Sequence, residues 1–152
     1  MKVNLGKAPF SPSPYLMNLE IVPEMKNKMN KLLIIDDDAG ISEMLKTLLE
    51  FNGYEIVTSD KPLQAKETIQ KYRPDLILLD VRLLGVDGTE VCANLKKDKA
   101  TANVPVLMMS ALSGADKTCE QAGADGFVAK PFEMDDLLEK IRDILSGKEK
   151  EN

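Results

Sequence analysis

From residue 31 onward, short apolar runs alternate with segments whose apolar residues recur at helical spacing. Residues 32–35 read as a strand. Ile41, Leu45, Leu48 and Leu49 then fall on one helical face and stop at Asn52-Gly53, a pair suited to ending a helix. The same alternation predicts a strand over 54–58, a helix over 63–72 halted by Arg73-Pro74, and a strand over 76–79. Helices over 89–97, 115–121 and 134–145 are interleaved with strands over 104–109 and 126–129. Leu137, Leu138, Ile141, Ile144 and Leu145 give the last helix its apolar face, and Gly147 with a charged tail closes the pattern. Five strands alternating with five helices imply a parallel sheet covered on both faces, and runs such as LILL and VLMM, apolar on both sides, fit that burial.

Residues 1–30 have a different texture. APFSPSP holds three prolines and two serines in seven residues, and the following MNLEIVPEMKNKMN has no period, so this stretch reads as a flexible arm before a domain over 31–147 and a charged tail over 148–152. Met17, Met25 and Met29 are candidate alternative starts. With 152 residues, 43% hydrophobic, the chain has room for one domain with a real core. Its net charge of −5, with no long Lys/Arg cluster, disfavours direct nucleic-acid contact, which draws its strength from phosphate neutralisation. Cys92 and Cys119 have neither metal spacing nor a CxxC pair and read as reduced packing thiols. The absence of histidine removes Ser/His and Cys/His catalysis, any histidine metal site and a phosphohistidine on this chain. No apolar run approaches the roughly eighteen residues that span a bilayer, so a cytoplasmic protein without membrane contact is expected.

In an open parallel sheet, ligands bind outside the carboxyl ends of the strands. Asp36 and Asp37 follow the first predicted strand, Asp80 the third, Ser110 the fourth and Lys130 the fifth. Residues far apart in sequence therefore converge on one edge. Two carboxylates about 4 Å apart repel by roughly 4 kcal/mol at an effective dielectric near 20, so such a cluster calls for a cation. Magnesium, which takes oxygen ligands and is held by one or two carboxylates plus a substrate phosphate, suits Asp36, Asp37 and Asp80. Lys130 would add a cation for a phosphoryl oxygen and Ser110 a hydrogen-bond donor. Asp38 stands where the first helix begins and reads as its N-cap, and Asp87-Gly88 reads as turn chemistry.

At these residues the chain resembles the receiver domain of bacterial response regulators. LLIIDDDAGI resembles the family's acidic-pair strand end, LILLDVRLLGVDG its phosphoacceptor segment, VPVLMMSA its Ser/Thr strand and GADGFVAKPF its Lys-Pro segment, in order and over about residues 31–147. The resemblance implies a doubly wound, flavodoxin-like sheet of strand order 2-1-3-4-5. It implies Asp80 as phosphoacceptor, Asp36 and Asp37 with Asp80 and the Arg82 carbonyl as the magnesium site, Ser110 as switch hydroxyl, Lys130 as phosphate partner, Phe127 as switch aromatic and a cis Lys130-Pro131 bond. A histidine kinase or phosphotransfer protein would be the donor. The expected function is that of a stand-alone regulator, a monomer or weak dimer, that catalyses only its own phosphorylation and dephosphorylation and signals through a protein target. Two departures stand out: Leu84 precedes Gly85 where the family usually has proline, and the stretch between Ser110 and Phe127 is shorter than usual, so the helix there is expected to be short or displaced. The alternative is a small haloacid-dehalogenase-type phosphatase, in which Asp36 would be the nucleophile and Asp38 the acid/base.

Overall fold

The computed structural model describes residues 29–151. Five parallel strands form one sheet, β1 (Lys31–Ile35), β2 (Glu55–Ser59), β3 (Leu76–Asp80), β6 (Val106–Ser110) and β7 (Gly126–Ala129), in the spatial order β2-β1-β3-β6-β7. With the short strands β4 (Arg82–Leu83) and β5 (Val86–Asp87) set aside, this is the 2-1-3-4-5 order of a doubly wound sheet. The helices are α1 (Ala39–Phe51), α2 (Ala65–Tyr72) after a single 3-10 turn at Pro62–Gln64, α3 (Gly88–Lys97), α4 (Ala115–Gln121) and α5 (Met134–Glu151). Among the described residues no helix is long and apolar enough to cross a membrane.

The strand period of two sorts the apolar residues into two cores. Leu32, Ile34, Leu76, Leu78, Leu107 and Met109 face α1 and α5, meeting Leu45, Leu49, Leu137, Leu138, Ile141 and Leu145. Their neighbours Leu33, Ile35, Ile77, Leu79, Val106 and Met108 face the other way, onto Ala65 and Ile69 of α2, Val91, Cys92 and Leu95 of α3, and Cys119 of α4. Both cysteines are buried free thiols in this second core. Burial pushes the Cys92 thiol up to about 11.

Three features depart from the sequence reading. A two-stranded hairpin, β4 (Arg82–Leu83) with β5 (Val86–Asp87), stands where only a turn was expected. Two residues per strand are too few to show a period. The strand predicted over 104–109 starts later, because Val104 still closes a turn onto the Thr101 carbonyl and pairing begins with Val106, whose amide donates to Asp125. Helix α5 runs through Gly147 to Glu151 rather than stopping at Leu145. A glycine in a solvent-facing helix costs only about 1 kcal/mol, and no proline follows to stop the helix. The short α4 agrees with expectation, with Gly114 at φ 78° at its start. The arm expected over 1–30 lies outside the described residues except for Met29 and Asn30.

Candidate functional site

Strand register builds the site. Ile35 pairs with Leu79, Asp80 with Met109, and Ser110 with Ala129, so the carboxyl ends of β1, β3, β6 and β7 finish together. The backbone ladder continues one step past them, with Lys130 N donating to Ser110 O at 2.8 Å and Val81 N to Met109 O at 2.9 Å. Asp36, Asp80 and Ser110 are thereby held nearly out of solvent, at 3%, 7% and 2% exposure. The Lys130-Pro131 bond is cis, the isomer that the resemblance implied.

Three of the expected residues meet directly. Lys130 Nζ donates to Asp80 Oδ2 at 2.7 Å and lies 3.7 Å from Asp36 Oδ2. Asp80 Oδ1 accepts from the Arg82 amide at 3.0 Å, and Asp36 Oδ1 from the Asp38 amide at 2.9 Å. Asp36 Oδ2 is buried without a hydrogen-bond partner. Burial raises the Asp36 carboxyl above its ordinary value, and the neighbouring Asp80 charge adds to the rise; the Asp38 amide and Lys130 pull the other way but do not overcome it.

The other expected residues stand around this trio. Asp37 is exposed and its Oδ2 accepts from the Leu84 amide of the hairpin. Ser110 Oγ accepts from the Leu112 amide at 2.9 Å. The Arg82 side chain is exposed and lines a cleft of about 470 Å³ together with Leu112, Asp87 and Thr118. Phe127 is half-buried against the second core. Asp38 caps α1, accepting from Gly40 N at 2.9 Å and Ile41 N at 3.2 Å, so its carboxylate serves the helix start.

The donor set is all oxygen, and an orphaned buried carboxylate oxygen sits within it, which fits a hard divalent cation. Closure of that set is partial: among the described residues no three acidic or thiol side chains gather around one point. Asp36 and Asp80 face Lys130, while Asp37 faces the hairpin.

Two residues of the site escaped the sequence reading. Asp87 is more than a turn residue, since its Oδ1 accepts from Thr89 N at 2.9 Å and Thr89 Oγ1 at 2.7 Å and caps α3. Asp-Gly-Thr before the apolar spacing of 91–95 was the available signal. Gly88 starts α3 so close to the acceptor strand that a Cβ there would stand 2.1 Å from the Asp80 carbonyl oxygen. Nothing local in the sequence announces that contact.

Known proteins share this fold and family. The family model described as the response regulator receiver domain matches residues 32–142. The DNA-binding dual master transcriptional regulator RpaA of Synechocystis sp. is 37% identical over 119 residues, which cover 77% of this chain and 49% of that protein. The phosphate regulon transcriptional regulatory protein PhoB of Pseudomonas aeruginosa is 37% identical over 116 residues, 75% of this chain and 51% of that protein. The chain thus spans about half the length of the curated relatives it matches. Among solved structures, a CheY-like response regulator receiver domain protein from Methanospirillum hungatei superposes with a TM-score of 0.75 at 31% identity, covering 82% of this chain and all of the other.

Proposed function

We propose, from the premise that this chain belongs to the response regulator receiver domain family, that Asp80 accepts a phosphoryl group and that the modified surface is read by a partner protein. Receiver domains are signalling modules and not enzymes in the ordinary sense, so the chemistry here is the domain's own modification. What carries the reading is the half-buried Lys130 ammonium 2.7 Å from Asp80 Oδ2, at the sheet edge where a second carboxylate, Asp36, is buried and partly unpartnered. A surface carboxylate needs neither feature.

In the proposed reaction an Asp80 carboxylate oxygen attacks phosphorus. The bond between phosphorus and the donor's leaving group breaks, the leaving group keeps the electron pair, and an acyl phosphate remains on Asp80. Lys130 then exchanges part of its contact with Asp80 for a phosphoryl oxygen, offsetting the added negative charge. Ser110 turns its hydroxyl from the Leu112 amide toward the same group, and Phe127, packed against the second core beside α4, follows as the switch aromatic. Magnesium would be held by Asp37, Asp80, the Arg82 carbonyl and, through water, Asp36, and would supply charge neutralisation for the phosphoryl oxygens. The donor is a phosphohistidine on a kinase or phosphotransfer protein, or a small phosphodonor, in the cytoplasm. The chain itself, at net charge −5, is a poor nucleic-acid surface, which favours protein contacts for the receiver.

The deciding experiment is mass spectrometry after incubation with magnesium and a small phosphodonor. One hydroxylamine-sensitive phosphoryl group on Asp80 is expected, and none on an Asp80→Asn protein. Label on Asp36 would instead favour the phosphatase reading, which Asp38's engagement as a helix cap already disfavours.

A further inference from the structure

Hairpin β4–β5 turns through Leu84 and Gly85, with Leu83 paired to Val86. Gly85 has φ 73°, while Arg73 is the only non-glycine residue with positive φ among those described, so Leu84 keeps a negative φ. That is the pattern of a type II turn, whose first central position accepts proline. Leu84 instead retains an amide hydrogen, and that hydrogen is donated to Asp37 Oδ2.

The side chain so engaged is one the proposed function assigns to magnesium. Asp36 and Asp80 turn their Oδ2 atoms to Lys130, whereas Asp37 is turned to a backbone donor 47 residues away, and no three acidic groups meet around one point among the described residues. An ion that takes Asp37 Oδ2 together with Asp80 must draw that oxygen away from the hairpin amide. We propose that the Leu84 amide is a positioning group that holds Asp37 off the cation, so that the hairpin sets the affinity of the magnesium site. This inference rests on the assignment of Asp37 as a metal ligand. A hydrogen bond to an exposed carboxylate contributes modestly, and giving it up should weaken magnesium binding by roughly fivefold.

Calorimetric titration of the full chain with magnesium chloride tests the idea on four proteins: the parent, Leu84→Pro, Leu84→Ala and Asp37→Ala. Leu84→Pro lacks the donor and suits the turn, so it should bind magnesium roughly fivefold tighter than the parent. Leu84→Ala keeps the donor and should match the parent, which separates the amide from the leucine side chain. In the parent, magnesium saturation should remove the hydrogen-exchange protection of the Leu84 amide, a readout that stands even if the proline variant folds poorly. Equal or weaker magnesium binding by a folded Leu84→Pro protein, or a Leu84 amide still protected at saturation, overturns the proposal and leaves the ligand assignment intact. Undiminished affinity in Asp37→Ala overturns the assignment itself and the inference with it.

Discussion

Replacing Asp36 by asparagine should make the magnesium-free protein more stable at neutral pH, although it removes a charge that lies 3.7 Å from a lysine. At about that distance two unit charges attract by roughly 4 kcal/mol at an effective dielectric of 20, and a like charge at similar range repels by as much. Lys130 and Asp80 therefore largely cancel at Asp36. Desolvation then decides the sign, and the raised pKa of Asp36 states the net result: burial and Asp80 together exceed the help from Lys130 and the Asp38 amide. Asparagine keeps an acceptor for the Asp38 amide and removes the buried, unpartnered charge at Oδ2. Relieving a buried polar atom of this kind is worth about 1–2 kcal/mol, which raises the melting temperature of a domain this size by roughly 3–8 °C.

The pH dependence of that gain separates charge from packing. Because the folded-state pKa lies above the unfolded one, Asp36 carries no ionisation penalty below its unfolded value, where both states are protonated, and the full penalty once pH has risen through its folded value. The advantage of Asp36→Asn should be largest at pH 7.5 and should shrink as the solution is acidified. Urea unfolding of parent and variant in chelator, at pH 7.5 and at about pH 4, measures both quantities. An asparagine variant no more stable than the parent at pH 7.5, or one whose advantage is the same at both pH values, would refute the reasoning.

Gly88→Ala should destabilise the fold by about 2–4 kcal/mol in chemical denaturation, since its Cβ would meet the Asp80 carbonyl oxygen at 2.1 Å and rigid backbone cannot yield as a side chain would. Cys92, fully buried with its thiol pushed up to about 11, should resist alkylation in the native protein at pH 7.5 and react once unfolded, as thiol titration would show. A chain beginning at Met29 should keep its melting temperature within a few degrees, because residues 1–28 carry no amphipathic period and, among the described residues, both cores draw on positions 32–145. In the phosphorylated protein, Arg82→Asn with Leu112→Glu should shorten the lifetime after donor removal. Those two residues line a cleft that starts at Val81, next in sequence to Asp80, and the substitutions place groups able to orient water there.

Much of the architecture is legible before any coordinates because each element carries its own signal. The run over 76–79 is apolar at every position, as a strand buried on two faces must be, and β3 is buried throughout. Of the helical stripe Ile41, Leu45, Leu48 and Leu49, α1 uses Ile41, Leu45 and Leu49 against the sheet, while Leu48 is half-buried outside both cores. The candidate site is legible at the same level: once the strands are placed, the sheet-edge rule puts Asp36, Asp80, Ser110 and Lys130 together without reference to any single contact.

What stayed hidden was set by pairs of groups that no local window contains. The β4–β5 hairpin has two residues per strand, and the start of α3 fits only because Gly88 leaves room for the Asp80 carbonyl. The direction of each acidic side chain is of the same kind. Composition predicts three carboxylates near one edge, and electrostatics predicts that they want a cation; neither says which cation is already at hand. Lys130 answers for Asp80 and, more loosely, for Asp36, and a backbone amide answers for Asp37. Repulsion that sequence reasoning gave wholly to a metal ion is thus shared by an ammonium and an N–H dipole. What an ion would gain on binding is then the difference between its own attraction and the contacts it displaces.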